Sequence, residues 1–342
     1  MRITALAGGI GGARFLRGLR HHVQRTANDS VAGEPVDSEL TEITVIGNTG
    51  DDIWIHGLRV CPDLDTVMYT LGDGIDPERG WGRLDETFRA KEELTAYGVE
   101  PTWFGLGDRD IGTHLVRTTS LNAGYPLSRV TEALCERWQP GVRLIPMTDD
   151  RAETHVIVDD PDNPGTDIAL HFQEWWIRYR ASLPARRFVV VGIEEAKPAP
   201  GVVDALRNAD VIVFPPSNPI VSIGTILAVP GIADEIRATR APVVGISPII
   251  SGAPVRGMAD ACLRASGIET SAAAVAAHYG ARSSGGLLDG WLVDTSDAAS
   301  TPVIEQAGIT TRAVPLLMTD LDATAAMAAE TLGLASRLRS TP

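Results

Sequence analysis

Only three cysteines occur in 342 residues, Cys61, Cys135 and Cys262, and no two stand in a CxxC spacing. That scarcity excludes a disulfide framework and a cysteine-ligated zinc site, and it fits a reduced cytoplasm. Basic charge is also short: 30 Lys and Arg stand against 44 Asp and Glu, a formal net charge of −14. Binding to a nucleic-acid backbone needs a cationic surface that releases counterions, so no nucleic-acid partner is expected. No apolar run reaches the length of a bilayer span, which excludes a membrane partner of that kind. The strand-like Arg2-Ile3-Thr4-Ala5-Leu6-Ala7 follows Met1 directly, so no secretory leader is expected. The histidines show no HExxH or other ligand spacing: His56, His114, His155, His171 and His278 read as structural hydrogen-bonding groups, and His21 and His22 as surface residues of a first helix.

What is present is an ordinary globular composition, 44% hydrophobic and 22% charged, in a chain long enough to bury a large core. Apolar strand-like runs at 2–7, 42–46, 142–145, 187–192, 210–214 and 242–246 alternate with helical patterns. The alternation predicts a doubly wound, Rossmann-like α/β fold with a mostly parallel sheet and helices on both faces. Leu287–Val293 and Ala313–Leu317 read as edge strands and Asp320–Leu338 as a closing helix. Between the halves, helices are expected at Trp81–Tyr97, Thr113–Leu121 and Leu127–Trp138, with a short strand at Thr102–Gly105. Thr154–Val158 and Asp167–Phe172 read as an antiparallel pair, because Asp160-Pro161-Asp162-Asn163-Pro164-Gly165 is turn chemistry. The organisation is thus one α/β domain over residues 1–342, with a smaller inserted α+β region at about 75–185 and a polar surface insertion at 24–40.

Four strand ends carry polar, turn-forming residues, and in such a sheet they border one crevice. The first is Gly8-Gly9-Ile10-Gly11-Gly12-Ala13-Arg14, ahead of a helix expected from Phe15. Glycines there let a backbone approach a phosphate, but the spacing is neither a clean GxGxxG nor a P-loop, and a bare tight turn is the alternative. The second is Asn48-Thr49-Gly50-Asp51-Asp52, followed closely by Cys61-Pro62-Asp63-Leu64-Asp65-Thr66. Four carboxylates and an amide in so short a stretch supply the hard oxygens that hold Mg²⁺ near a phosphate, although Asp63 or Asp65 could equally cap a helix. Pro216-Ser217-Asn218-Pro219 and Ser247-Pro248-Ile249-Ile250 complete the set; Ser217 and Asn218 suit a phosphate or nucleobase, or the capping of the helix that follows. The aromatic run Gln173–Tyr179 could hold a planar ring, or serve packing or a subunit interface.

Taken in order, these motifs resemble the 2-phospho-L-lactate transferase family of coenzyme F420 biosynthesis. Leu106-Gly107-Asp108-Arg109-Asp110, Pro146-Met147-Thr148-Asp149-Asp150 and Phe172-Gln173-Glu174-Trp175 belong to the same pattern, which spans Gly8 to about Asp294. The stretch Gly50–Val60 and Arg256-Gly257-Met258-Ala259-Asp260 look most like actinobacterial members, with Met258 a departure from many relatives. The resemblance implies attack by the terminal ribityl hydroxyl of the deazaflavin Fo on the distal phosphorus of a guanosine diphosphate ester, with GMP leaving and Mg²⁺ as cofactor. It implies an enolpyruvyl rather than a lactyl donor, and a homodimer. It implies Asp65 or Asp63 as proton acceptor; Asn48, Asp65 and Arg109 around Fo, with Arg109 also able to hold the transferring phosphate or, between Asp108 and Asp110, to be paired structurally; and Asp51, Asp52 and Asp65 around the metal. The nucleotide falls to Gly8, Gly9, Gly11, Gly12, Arg14, Ser217, Asn218 and Ser247.

Two other readings share the glycine-rich start. Sugar-nucleotide-binding regulators of the gluconeogenesis-factor type have the same fold, but carry a Gly-Gly-Ser-Ser-Gly stretch where this chain has Ile53-Trp54-Ile55-His56-Gly57 and then a second acidic motif. A Rossmann oxidoreductase requires an acidic residue for the ribose after a true GxGxxG, and none stands there.

Overall fold

A computed structural model describes residues 1–31, 41–163 and 165–340. The strands in chain order are β1 (Arg2–Ala7), β2 (Glu42–Gly47), β3 (Ile53–Ile55), β4 (Leu58–Val60), β5 (Arg143–Pro146), β6 (Glu153–Asp159) and β7 (Asp167–His171). There follow β8 (Ala185–Val191), β9 (Val211–Phe214), β10 (Val243–Ile246), β11 (Ile249–Ile250), β12 (Ala253–Pro254), β13 (Gly290–Asp294) and β14 (Thr310–Val314). Seven form one parallel sheet in the order β14-β13-β10-β9-β1-β2-β5. The interior strands β9 and β10 are apolar throughout because both faces are covered. Alternate residues feed opposite cores: Ile3, Ala5, Val211 and Val213 face one, Leu6, Ile212 and Phe214 the other.

The first core is closed by helix α1 (Gly9–Val31), α2 (Pro62–Leu71), α5 (Leu127–Trp138) and the C-terminal helix Leu321–Ser340, through Leu16, Val67, Leu134 and Leu334. Between α2 and α5 lie α3 (Arg89–Ala96) and α4 (Asp108–Asn122). Leu206, Ile232, Ile236 and Val275 close the second core. A three-stranded antiparallel sheet, β7-β6-β8, and two short hairpins, β3-β4 and β11-β12, complete the fold. No single described helix is long and apolar enough to cross a membrane.

Several sequence expectations shift. α1 begins at Gly9 rather than near Phe15, so the glycine cluster is the helix's first turn. Of the expected insertion at 24–40, residues 24–31 continue α1 and residues 32–40 lie outside the described residues. The helix expected over Trp81–Tyr97 shortens to α3, because Gly80, Gly82 and Asp85 take positive φ and break its first turns. Thr102–Gly105 forms no strand; Trp103 and Phe104 pack instead with Ile53, Ile55 and Leu106. β8 pairs antiparallel with β6 and does not join the parallel sheet, while β5, within the span 75–185, does. β13 is interior and β14 forms the edge.

Candidate active site

The two acidic motifs meet at the carboxyl ends of β1 and β2. After β2, the Asn48 side chain accepts the Gly50 N–H at 2.9 Å, a turn that an aspartate or asparagine side chain can close. Any side chain on Gly50 would collide with Thr225 and Thr154. This turn sends the next two carboxylates to different places. Asp51 lines a large cavity, whereas Asp52 is fully buried behind it.

Asp63, in the first turn of α2, joins Asp51 in the cavity wall. The Asn48 amide donates to Asp63 Oδ2 at 2.8 Å and lies 3.4 Å from Asp51 Oδ1, so one buried side chain braces both carboxylates. Asn48 itself does not reach the cavity surface. Gly8 is tight against Asp63, and the Gly9 N–H at the start of α1 lowers the cost of charge on that carboxylate. Burial, then the proximity of Asp63, pushes the Asp51 carboxyl well above its ordinary range, and burial lifts Asp63 to about 6.

Asp52 turns into the protein. It pairs with Arg59 at 3.1 Å and accepts the Cys61 thiol at 2.9 Å, and burial raises it to about 6 despite Arg59. Arg59 also reaches Glu153 at 3.1 Å, and Glu153 in turn holds Arg151. His171 Nε2 donates to the Asp52 carbonyl at 3.1 Å, leaving Nδ1 to accept the Gln173 N–H. Burial lowers His171 to about 4, with neighbouring His155 adding to the effect. The unfolded chain therefore takes up a proton between pH 6.5 and about 4 that the folded chain refuses, so stability is full above about 6.5 and falls as pH drops through this window. The expected loss is on the order of 2 kcal/mol between pH 7 and 4.5. Denaturant titrations of wild type and His171→Gln at both pH values check it, the variant losing less; equal losses would remove the role given to His171.

Asp65 anchors a second buried network. Arg117 Nη2 on α4 donates to Asp65 Oδ1, and Arg117 Nη1 lies 3.1 Å from His114 Nδ1. His114 Nε2 is 3.3 Å from Asp110 Oδ2, and Asp110 Oδ1 accepts the Tyr69 hydroxyl at 2.6 Å. Burial alone would depress Arg117, but the Asp65 carboxylate overrides it and holds the guanidinium charged. Asp65 Oδ2 is buried 3.8 Å from His114 Nδ1 with no hydrogen-bond partner among the described residues, and Asp65, Tyr69, Asp110 and His114 all line the cavity.

The cavity encloses about 1120 Å³. Its walls carry the start of α1 at Gly8, Gly9 and Gly11, Arg14 with Arg256, and an aromatic chamber of Trp81, Phe88, Trp103, Phe104, Phe172 and Trp176. Trp176 stacks on Phe172 at 6.3 Å between centroids, and Gln173, Trp176 and Ile177 of the 173–179 run line the cavity, while Trp175 is fully buried and donates to the Leu183 carbonyl. Burial, then Arg256, lowers Arg14, as expected for two cations sharing a rim.

Other sequence-selected residues have structural partners. Gly11 abuts the Pro216 carbonyl and Gly12 the Ser217 hydroxyl, so these two glycines are required by packing of α1 on the turn after β9. Ser217 Oγ donates to the Gly8 carbonyl at 2.8 Å, Asn218 caps the following turn through the Ile220 and Val221 N–H groups, and Ser247 closes its own turn on Ile249. All three residues line the cavity with side-chain oxygens already engaged. Arg109 is exposed outside the cavity, bonded to the Leu84 carbonyl at 3.2 Å. Asp51, Asp52 and Asp65 do not converge on one point: Asp52 faces Arg59 and Asp65 faces Arg117, and no set of three or more acidic, His or Cys side chains is arranged for a metal among the described residues.

Fold and site together define a Rossmann-like α/β protein whose strand ends open on an acidic and aromatic cavity. The model of the 2-phospho-L-lactate transferase CofD family matches residues 3–331, and the chain belongs to this family. It is 65% identical over 340 residues to a phosphoenolpyruvate transferase of Streptomyces avermitilis and 64% identical over 340 residues to one of Streptomyces griseus subsp. griseus, in each case over 99% of this chain and 100% of the relative. A phosphoenolpyruvate transferase of Mycobacterium avium is 58% identical over 339 residues, 98% of this chain and 99% of the relative. Crystal structures of a Bacillus halodurans protein, one described as a member of the upf0052 family, share the fold with TM-scores of 0.60 and 0.61 at 18% identity. They cover 97% of this chain and 99% and 98% of theirs.

Proposed function

We propose that the protein transfers the phosphoenolpyruvyl group of enolpyruvyl-diphospho-guanosine to the terminal ribityl hydroxyl of Fo, giving dehydro coenzyme F420-0 and GMP. The observation that carries this reading is one cavity that joins a buried carboxylate pair, Asp51 and Asp63, to an aromatic chamber. Its volume of about 1120 Å³ exceeds the ~300–1,000 Å³ typical of a site for one small ligand, as two substrates require. The aromatic walls suit a planar deazaflavin, and Arg14 and Arg256 suit an anionic donor.

Mg²⁺ fits the residues present. Asp51 and Asp63 are hard oxygen donors, buried together and resisting joint ionisation, and this ion is commonly bound by one or two carboxylates plus substrate phosphates. Bound there, it would neutralise diphosphate charge and polarise the phosphoryl oxygens. The chain's own groups do the rest. The cationic rim and the amino-terminal turn of α1 hold the donor, the aromatic walls orient Fo, and the Asp65 carboxylate at the cavity wall takes the proton of the attacking hydroxyl. Phosphoryl transfer needs in-line placement and charge stabilisation more than a strong base, which suits a carboxylate held by Arg117. Three free, widely separated cysteines support a cytoplasmic setting.

Incubation with Fo, Mg²⁺ and each donor, read by product mass, tests the assignment. The enolpyruvyl and lactyl groups share a carboxylate and differ at one carbon, a shape difference worth ~1–3 kcal/mol in a pocket. Both should turn over, with higher kcat/KM for the enolpyruvyl donor in competition. A lactyl preference would reverse the donor assignment, and nucleotide binding without any product would favour a regulator.

A further inference from the structure

We propose that Arg117 is a positioning residue, which fixes the Asp65 carboxylate at the cavity wall for the acceptor hydroxyl. This rests on the transfer reading above. Arg117 is only 1% exposed and touches none of the cavity surface, yet its guanidinium occupies the centre of the Asp65 network. Nη2 donates to Asp65 Oδ1, while Nη1 approaches His114 Nδ1 and the Arg59 carbonyl at 3.1 and 3.4 Å. A guanidinium only donates, so His114 Nδ1 is the acceptor and the imidazole proton resides on Nε2, facing Asp110. Asp110 is fixed in turn by the Tyr69 hydroxyl. The brace therefore runs from α2 through α4 and back to α2.

A free carboxylate swings about its last torsion with little preference, and either oxygen can present. Clamping Oδ1 fixes the torsion of a side chain that is 4% exposed and borders the cavity; Oδ2 is itself buried, 3.8 Å from His114 Nδ1, with no hydrogen-bond partner among the described residues. Such fixing of one acceptor acts on the reacting geometry and leaves the donor's contacts at Asp51, Asp63 and Arg14 untouched. Its signature is a fall in kcat with nucleotide affinity preserved.

The test compares wild type, Arg117→Lys and Arg117→Gln for kcat, KM for Fo and for the enolpyruvyl donor, and GDP affinity by calorimetry, with folding checked by denaturant titration. Arg117→Gln should lose about 100-fold in kcat and Arg117→Lys about tenfold, because an ammonium restores the charge but not the fork. GDP affinity should stay within about twofold in both. If Arg117→Gln does not fold, the lysine variant decides alone. Unchanged kcat in a folded variant, or GDP affinity falling in step with kcat, would overturn the positioning role. Absence of product from wild type would instead overturn the transfer reading on which it rests.

Discussion

Asp51→Asn is expected to lower kcat by ~10²–10³-fold while making the cation-free protein more stable. Asp51 is 6% exposed, is braced against Asp63 by one asparagine, and has no cationic side chain bonded to it among the described residues. Burial and the neighbouring carboxylate both oppose its charge, so an amide of the same shape relieves the folded state, by about 1 kcal/mol. In the proposed Mg²⁺ site the same change removes one of two hard ligands. Losing ~3–4 kcal/mol of charge stabilisation at the transferring phosphate corresponds to the stated fall, at 1.36 kcal/mol per tenfold. Thermal unfolding with EDTA and with Mg²⁺ separates the two effects: wild type should gain Tm on adding the ion and the variant should not. Full wild-type turnover in EDTA, or an active Asp51→Asn protein, would remove the cation from this site.

Arg59→Leu should be the most damaging single change to stability, costing ~3–5 kcal/mol. It strips Asp52 of its guanidinium partner and Glu153 of one of two, and Asp52 has no exposure to solvent through which water could replace the lost pair. Denaturant titration measures it, with the midpoint falling at unchanged slope. A loss below ~1 kcal/mol would show that the buried pair is replaceable. The contrast with Asp51→Asn is informative because residues 51 and 52 are adjacent in sequence: one carboxylate is paired and structural, the other is unpaired and faces the cavity.

That contrast marks how far the sequence could be read. The parallel sheet was legible in apolar runs followed by turn residues, and the four polar strand ends do border one cavity. The antiparallel pairing of β8 was not legible, because an apolar run such as 187–192 looks alike whether its partner lies parallel or antiparallel. The acidic cluster was legible as a site. Which carboxylate faces the cavity was not, since this depends on a turn closed by Asn48 and on the space that Thr225 and Thr154 leave at Gly50. Arg109 lies on the exposed side of α4, whose inward face carries Asp110, His114 and Arg117, spaced i, i+4 and i+7. That spacing was available as a signal. Its meaning was hidden, because Asp65 lies 52 residues from Arg117 in the chain.

Attack by the acceptor hydroxyl on the distal phosphorus is the central claim, and an oxygen label tests it most directly. Fo carrying ¹⁸O in its terminal ribityl hydroxyl is incubated with the enolpyruvyl donor and Mg²⁺, and both products are weighed by mass spectrometry. The mechanism predicts the label entirely in dehydro coenzyme F420-0 and none in GMP, because the hydroxyl oxygen becomes the bridge to phosphorus. Unlabelled dehydro coenzyme F420-0 would mean that the ribityl carbon–oxygen bond breaks instead, and would contradict the account.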